Sequence, residues 1–173
     1  MQNSMFNPQP QNQFSATETE STNILGPVVF KLSNLLVAGQ AGLPALPTQI
    51  APGQSPYIVS TQERIQISVD IAFNDTPLTQ LLLCLGTRLK VRFSLEGIGG
   101  QATEVDLEVS ETTRQGIANY TLTFEGTPES AGLTPGLYAI AAVVSIGPVD
   151  HACAQDVFGY GYIVGQLLQV YAA

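Results

Sequence analysis

The sequence predicts an all-β domain, a two-layer antiparallel sandwich of about seven strands with one short crossover helix. Three observations carry this expectation. Four segments alternate apolar and polar residues with period two, two more are apolar on both faces, and turn residues separate them at regular intervals.

The chain opens on residues 1–23, rich in Gln, Asn, Ser, Thr and Pro, where Met5, Phe6 and Phe14 are the main large apolar groups. So few anchors cannot offset the entropy of ordering the segment alone, so it is expected to be an arm or tail outside the folded domain, 24–173. Val28 to Val37 is the first strand. Gly39 to Pro56 follows with four Pro and three Gly, which excludes a helix or a central strand and leaves a long irregular connection.

Ile65 to Phe73 places Ile, Ile, Val, Ile and Phe at every odd position, the pattern of a strand with one wet face. Asn74-Asp75-Thr76-Pro77 then offers capping residues and a proline suited to a first helical turn, and Gly86 offers a stop. The helix expected over 77–85 should bury Leu78, Leu81, Leu82 and Leu85, spaced i, i+3, i+4 and i+7, with Cys84 beside them.

Leu89, Val91, Phe93 and Leu95 alternate with Arg88, Lys90, Arg92 and Ser94, and Val105, Leu107 and Val109 alternate with Glu104, Asp106 and Glu108. A hairpin turning tightly at Gly97-Ile98-Gly99 would set Arg92 opposite Glu104, Lys90 opposite Asp106 and Arg88 opposite Glu108. Tyr120, Leu122 and Phe124 form the next alternating strand. Leu137 to Ile146 is apolar on both faces and is expected to be central and covered on its second side. Phe158 to Tyr171 is interrupted by Gly159, Gly161 and Gly165, which predicts bulges or close backbone approach.

Leu133-Thr134-Pro135-Gly136-Leu137-Tyr138 is a Pro-Gly turn feeding a tyrosine into an apolar strand. It resembles the corner before the sixth strand of bacterial immunoglobulin-like and fibronectin-like modules, directly over about 30 residues and beyond them in strand count. The resemblance implies an immunoglobulin-like sandwich and the roles such modules serve, as spacers, adhesins or assembly units. The cysteine pair and core tryptophan of antibody domains are absent, since the chain has no Trp and its two cysteines, Cys84 and Cys153, fall elsewhere. Both thiols are expected to be buried and unbridged, with one long-range bridge as the alternative.

Composition narrows function by exclusion. Fourteen acids against six bases give a net charge of −8, which argues against nucleic-acid backbones and anionic membranes. No apolar stretch approaches the ~20 residues of a membrane span. The N-terminus has no basic and apolar pattern of a secretory signal, so the expected location is cytoplasmic or reached by a signal-independent route.

Only 12% of residues are charged, so much of the surface must be neutral or apolar, which favours association. His151 is the sole histidine, in Asp150-His151-Ala152-Cys153-Ala154-Gln155-Asp156. The spacing fits no zinc pattern, and a Cys153–His151 nucleophile would lack an orienting third group, so neither a metal, a cofactor nor a catalytic residue is expected. The sequons at Asn74 and Asn119 carry little weight without a signal peptide.

The expected function is a non-catalytic structural or interaction module that binds protein, foremost copies of itself, as in a filament or surface assembly. Its candidate contact residues are Met5, Phe6 and Phe14 in the arm and Tyr160 and Tyr162 near the end of the chain. The alternative is a small-ligand or glycan-binding module, in which Tyr160 and Tyr162, flanked by glycines, stack on a sugar.

Overall fold

A computed structural model of the chain describes residues 26–39, 57–100, 102–149 and 158–173. Their strands form two packed sheets. Strands β1 (Phe30–Gly39), β3 (Ile65–Phe73) and β6 (Asn119–Gly126) make one sheet in the order β1-β3-β6. The other has the order β2-β8-β7-β4-β5, from β2 (Ile58–Ser60), β8 (Gly159–Tyr171), β7 (Gly136–Pro148), β4 (Thr87–Ile98) and β5 (Val105–Thr112). All pairings are antiparallel except β2 with β8. The order is that of an immunoglobulin-like sandwich whose first strand is divided between the sheets.

The division accounts for eight strands where about seven are expected. β2 has only three residues, too few for period two to register in the sequence.

Alternation builds the core as expected. Ile65, Ile67, Val69 and Ile71 from β3 face Leu89, Val91, Phe93 and Leu95 from β4 and Tyr138, Ile140, Ala142 and Val144 from β7, all buried. The corner before β7 is clasped by Tyr138, whose fully buried ring sends its hydroxyl back to the Thr134 carbonyl at 2.6 Å. That bond has the form of a tyrosine corner. Tyr120 makes a second clasp by accepting from the Arg114 amide at 2.8 Å.

Three expectations are corrected. The β4–β5 hairpin forms, but Arg92 pairs with Glu108, Lys90 with Ser110 and Arg88 with Thr112, a shift of four residues from the expected register. The reason is loop length: β4 continues through Gly97 to Ile98, and Glu104 precedes β5. An even shift preserves every side chain's face, so the charged row still points outward. Lys90 reaches diagonally to Glu108 at 2.7 Å.

Helix α1 (Pro77–Leu85) lies where expected, in the crossover between sheets, capped by Thr76 and ended by Gly86 at φ 80°. Its buried positions are Thr79 and Leu83, while Leu78 and Leu82 are partly covered and Leu81, Cys84 and Leu85 are exposed. Hydrogen bonding sets this rotation. Thr79 Oγ1 donates to Asn74 Oδ1 at 2.6 Å and Thr113 Oγ1 donates to the Leu83 carbonyl at 3.2 Å, which turns that side inward. Cys84 is a free, exposed thiol and not a buried one.

The third correction concerns β7, which is the central strand of its sheet but is not sandwiched. Its second face, with Leu137, Ala139, Ala141 and Val143, is partly or largely exposed among the described residues. Small alanines leave little apolar area there to demand a cover.

Candidate interaction surface

The last strand carries the most exposed apolar surface of the sandwich. Inside it, close packing dictates glycine: a methyl on Gly161 would stand 2.8 Å from Phe30 and 3.0 Å from Leu32, side chains of β1. β1 and β8 thereby approach across the gap between sheets. Ile140 pairs with Gln166 and Ala141 with Val164, so Gly165 is an extra residue, a bulge at φ +129°. This meets the expectation drawn from the three glycines.

The bulge also switches the alternation, and that determines what faces solvent. Before it Tyr160, Tyr162 and Val164 point outward at 78%, 63% and 55% exposure; after it Leu167 does so at 52%. Val143 and Ser145 of β7 lie beside Tyr162 and Tyr160, which widens the stripe. The sequence singles out the two tyrosines but not Val164 or Leu167, because the parity change at Gly165 cannot be placed without the ladder.

Two halves of the outer sheet face differ in chemistry. The β4–β5 half carries Lys90, Arg92, Asp106 and Glu108, with Ser94 Oγ donating to Asp106 at 2.6 Å. The β8 half has no charged residue anywhere between Gly159 and Tyr171. Polar character therefore falls away from one side of the sheet to the other.

The β8 strand also has an open side. β7 pairs along its length, but β2 pairs only with Gln169, Val170 and Tyr171, so backbone groups from 159 to 168 have no ladder partner on that side among the described residues. Beside this edge runs a groove of about 420 Å³, with Val28, Val29, Phe30 and Leu32 on one wall and Tyr160, Gly161, Tyr162 and Ile163 on the other. Two other sheet edges are blunted: β5 carries acidic side chains, and β1 has a bulge at Ser33/Leu36 and Asn34 at φ 51°.

A second cavity of about 370 Å³ lies under α1, lined by Phe30, Phe73, Leu78, Leu82, Ile146 and Phe158 among others. Its two threonines, Thr79 and Thr87, already donate to Asn74 and to the Leu82 carbonyl. Among the described residues its lining therefore offers shape and apolar contact.

Met5, Phe6, Phe14, Asp150, His151, Cys153 and Asp156 lie outside the described residues, as do most of the connection at 39–56. Among the described residues no three His, Cys, Asp or Glu side chains gather as metal ligands would, and no helix is long and apolar enough to cross a membrane. Asn74 of the first sequon is engaged in structure: its Oδ1 accepts from the Val29 amide at 3.0 Å and its Nδ2 donates to the Pro27 carbonyl at 2.8 Å.

Fold and surface together define an immunoglobulin-like β-sandwich with a neutral, aromatic last strand. No protein-family model matches the chain, and no curated protein matches it. Among solved structures it is similar to the major subunit of aggregative adherence fimbriae type I from Escherichia coli. Identity there is 10%, with 90% of this chain and 100% of that one covered and a TM-score of 0.37. It is also similar to part of a beta-glucosidase from Listeria innocua, solved with gluconolactone, at 12% identity and a TM-score of 0.41. That match covers 94% of this chain and 20% of the glucosidase.

Proposed function

We propose that the chain is a non-catalytic structural module that associates with copies of itself, a subunit of a filament or surface assembly. It does so through the outer surface of β8 and the N-terminal arm, 1–23. The observation that supports this most is an uncharged strand with five large exposed apolar side chains beside an edge that no described residue pairs. Sandwich proteins normally protect such an edge with charge, proline or cover, because an unprotected one recruits another strand. The low charged fraction and the sparse anchors of the arm agree with it.

Size-exclusion chromatography with light scattering, run over a range of concentrations, tests the reading. The full chain should form a discrete species larger than a monomer, and the double substitution Tyr162→Lys with Val164→Lys should return it to monomer with its circular dichroism unchanged. Removal of residues 1–23 should also give a folded monomer. A full-length chain that stays monomeric at every concentration overturns self-association.

Glycan binding is the second reading, favoured by Tyr160 and Tyr162 exposing their rings on one face, two residues and so about 7 Å apart. Under that reading Tyr162→Ala abolishes glycan retention and leaves the mass in solution unchanged.

A further inference from the structure

We infer that the segment Gln11–Thr17 of a second copy is the strand that occupies the open edge of β8, and that the exchange is reciprocal, so that the first assembled species is a closed two-fold dimer. This rests on the self-association reading above and specifies its contact.

Charge and pattern select the segment. Residues 1–17 contain no charged side chain, which matches an edge strand that also has none, and the first acids, Glu18 and Glu20, lie beyond it. Pro8 and Pro10 lack the amide a ladder needs, which leaves Gln11–Thr17 as the proline-free run between the prolines and the acids. Extended, it spans about 23 Å, within the roughly 33 Å of edge from 159 to 168. Alternation then sends Asn12, Phe14 and Ala16 to one side and Gln11, Gln13, Ser15 and Thr17 to the other. Phe14 enters the groove against Phe30, Leu32 and Ile163, apolar side chains contributed by both of its walls. The chain's other nearby candidate, the stretch before β2, is poorly suited, since Pro52 and Pro56 donate no hydrogen bond.

The position of the arm's root selects a partner copy and a closed pair. Residues 27–29 are tied to the β3–α1 junction: the Pro27 carbonyl accepts from Asn74 Nδ2 and Thr76 Oγ1, and the Asn74 amide donates to Val29. Gly26 sits against Thr76 as well. The root at Gly26 thus sits on the β3 side of β1, whereas the groove lies on its β8 side, so an arm docking in its own subunit would have to cross the end of β1. Root and groove nevertheless share one end of the sandwich, since Val28 and Val29 line the groove. The linker 18–25 reaches at most about 28 Å, enough for two copies facing each other at that end to trade arms. Such mutual exchange closes on itself, whereas an open chain of subunits needs donor and acceptor at opposite ends.

Three measurements on the full-length chain decide it. Light scattering should give twice the monomer mass, Phe14→Asp should give a monomer, and hydrogen exchange of amides between 159 and 168 should quicken at least tenfold in that variant. An excess of a peptide comprising residues 7–20 should split the dimer while keeping those amides protected, and the Phe14→Ala peptide should need at least tenfold more. A monomer whose β8 amides are already protected until Phe14→Asp exposes them means the arm docks in its own subunit, which overturns the exchange. A species larger than a dimer overturns closure. If Phe14→Asp stays dimeric while Tyr162→Lys with Val164→Lys dissociates it, the arm contact is wrong and self-association stands; if the unaltered chain is monomeric with unprotected β8 amides, both fall.

Discussion

Replacing Gly161 by alanine sets two known effects against each other at the closest approach of the two sheets. The added methyl would lie 2.8 Å from Cε2 of Phe30, 3.0 Å from Cδ1 of Leu32 and 3.2 Å from its Cγ, where ordinary contact begins near 3.4 Å. Both side chains must retreat by several tenths of an ångström, and Phe30 is hampered because its ring packs at 5.9 Å from that of Phe73. Overpacking of this kind costs about 1–3 kcal/mol. Alanine in a strand regains about 0.5–1 kcal/mol by restricting the unfolded chain. Overpacking wins, leaving a net loss of about 1 kcal/mol and a midpoint of thermal unfolding lower by about 2–4 °C. Urea unfolding followed by circular dichroism measures it. In a Leu32→Ala background, where two of the three close contacts are gone and the Phe30 ring gains room to shift, the same substitution should cost less by roughly 0.5 kcal/mol. A Gly161→Ala protein as stable as the original refutes the claim that packing against β1 requires glycine.

Tyr138→Phe removes the buried hydroxyl that clasps the Thr134 carbonyl at 2.6 Å, and should lower stability by about 1–2 kcal/mol in the same assay. Glu108→Gln breaks an exposed ion pair with Lys90 and should change stability by less than about 0.5 kcal/mol, abolishing little more than a salt-dependent increment. Cys84, exposed on α1, should be alkylated in the native state of a Cys153→Ser protein without denaturant, as mass spectrometry would register; protection until unfolding would contradict its position.

Period-two alternation made β3, β4, β5 and β6 legible, because each has one wet face and the pattern is a direct record of it. Register was less legible. The sequence marks which face Arg92 occupies but not where the chain turns, and Gly97 looks like a turn residue although it lies within β4. Its glycine answers another need: a methyl there would stand 2.5 Å from the backbone of Ala102, on the returning chain.

The helix misled for a related reason. Four leucines at helical spacing mark a possible apolar face, yet a short helix at the end of a sandwich is oriented by hydrogen bonds to Thr79 and Leu83 that leucine periodicity does not encode. At the candidate surface, Tyr160 and Tyr162 were legible through their glycine neighbours. The edge beside them was not, since whether an edge is paired depends on where every other strand lies, which no local pattern records.

Under the proposed self-association, the absence of charge along β8 fixes the sign of the response to ionic strength. Contacts through ion pairs weaken as salt screens them, but a strand with no charged residue has no attraction of that kind to lose. What salt does screen is the mutual repulsion of copies of the chain that each carry a net charge of −8. Sulfate or phosphate, excluded from apolar surface, acts in the same direction. An association through this face would therefore tighten in brine and loosen in dilute buffer, the reverse of one held by ion pairs.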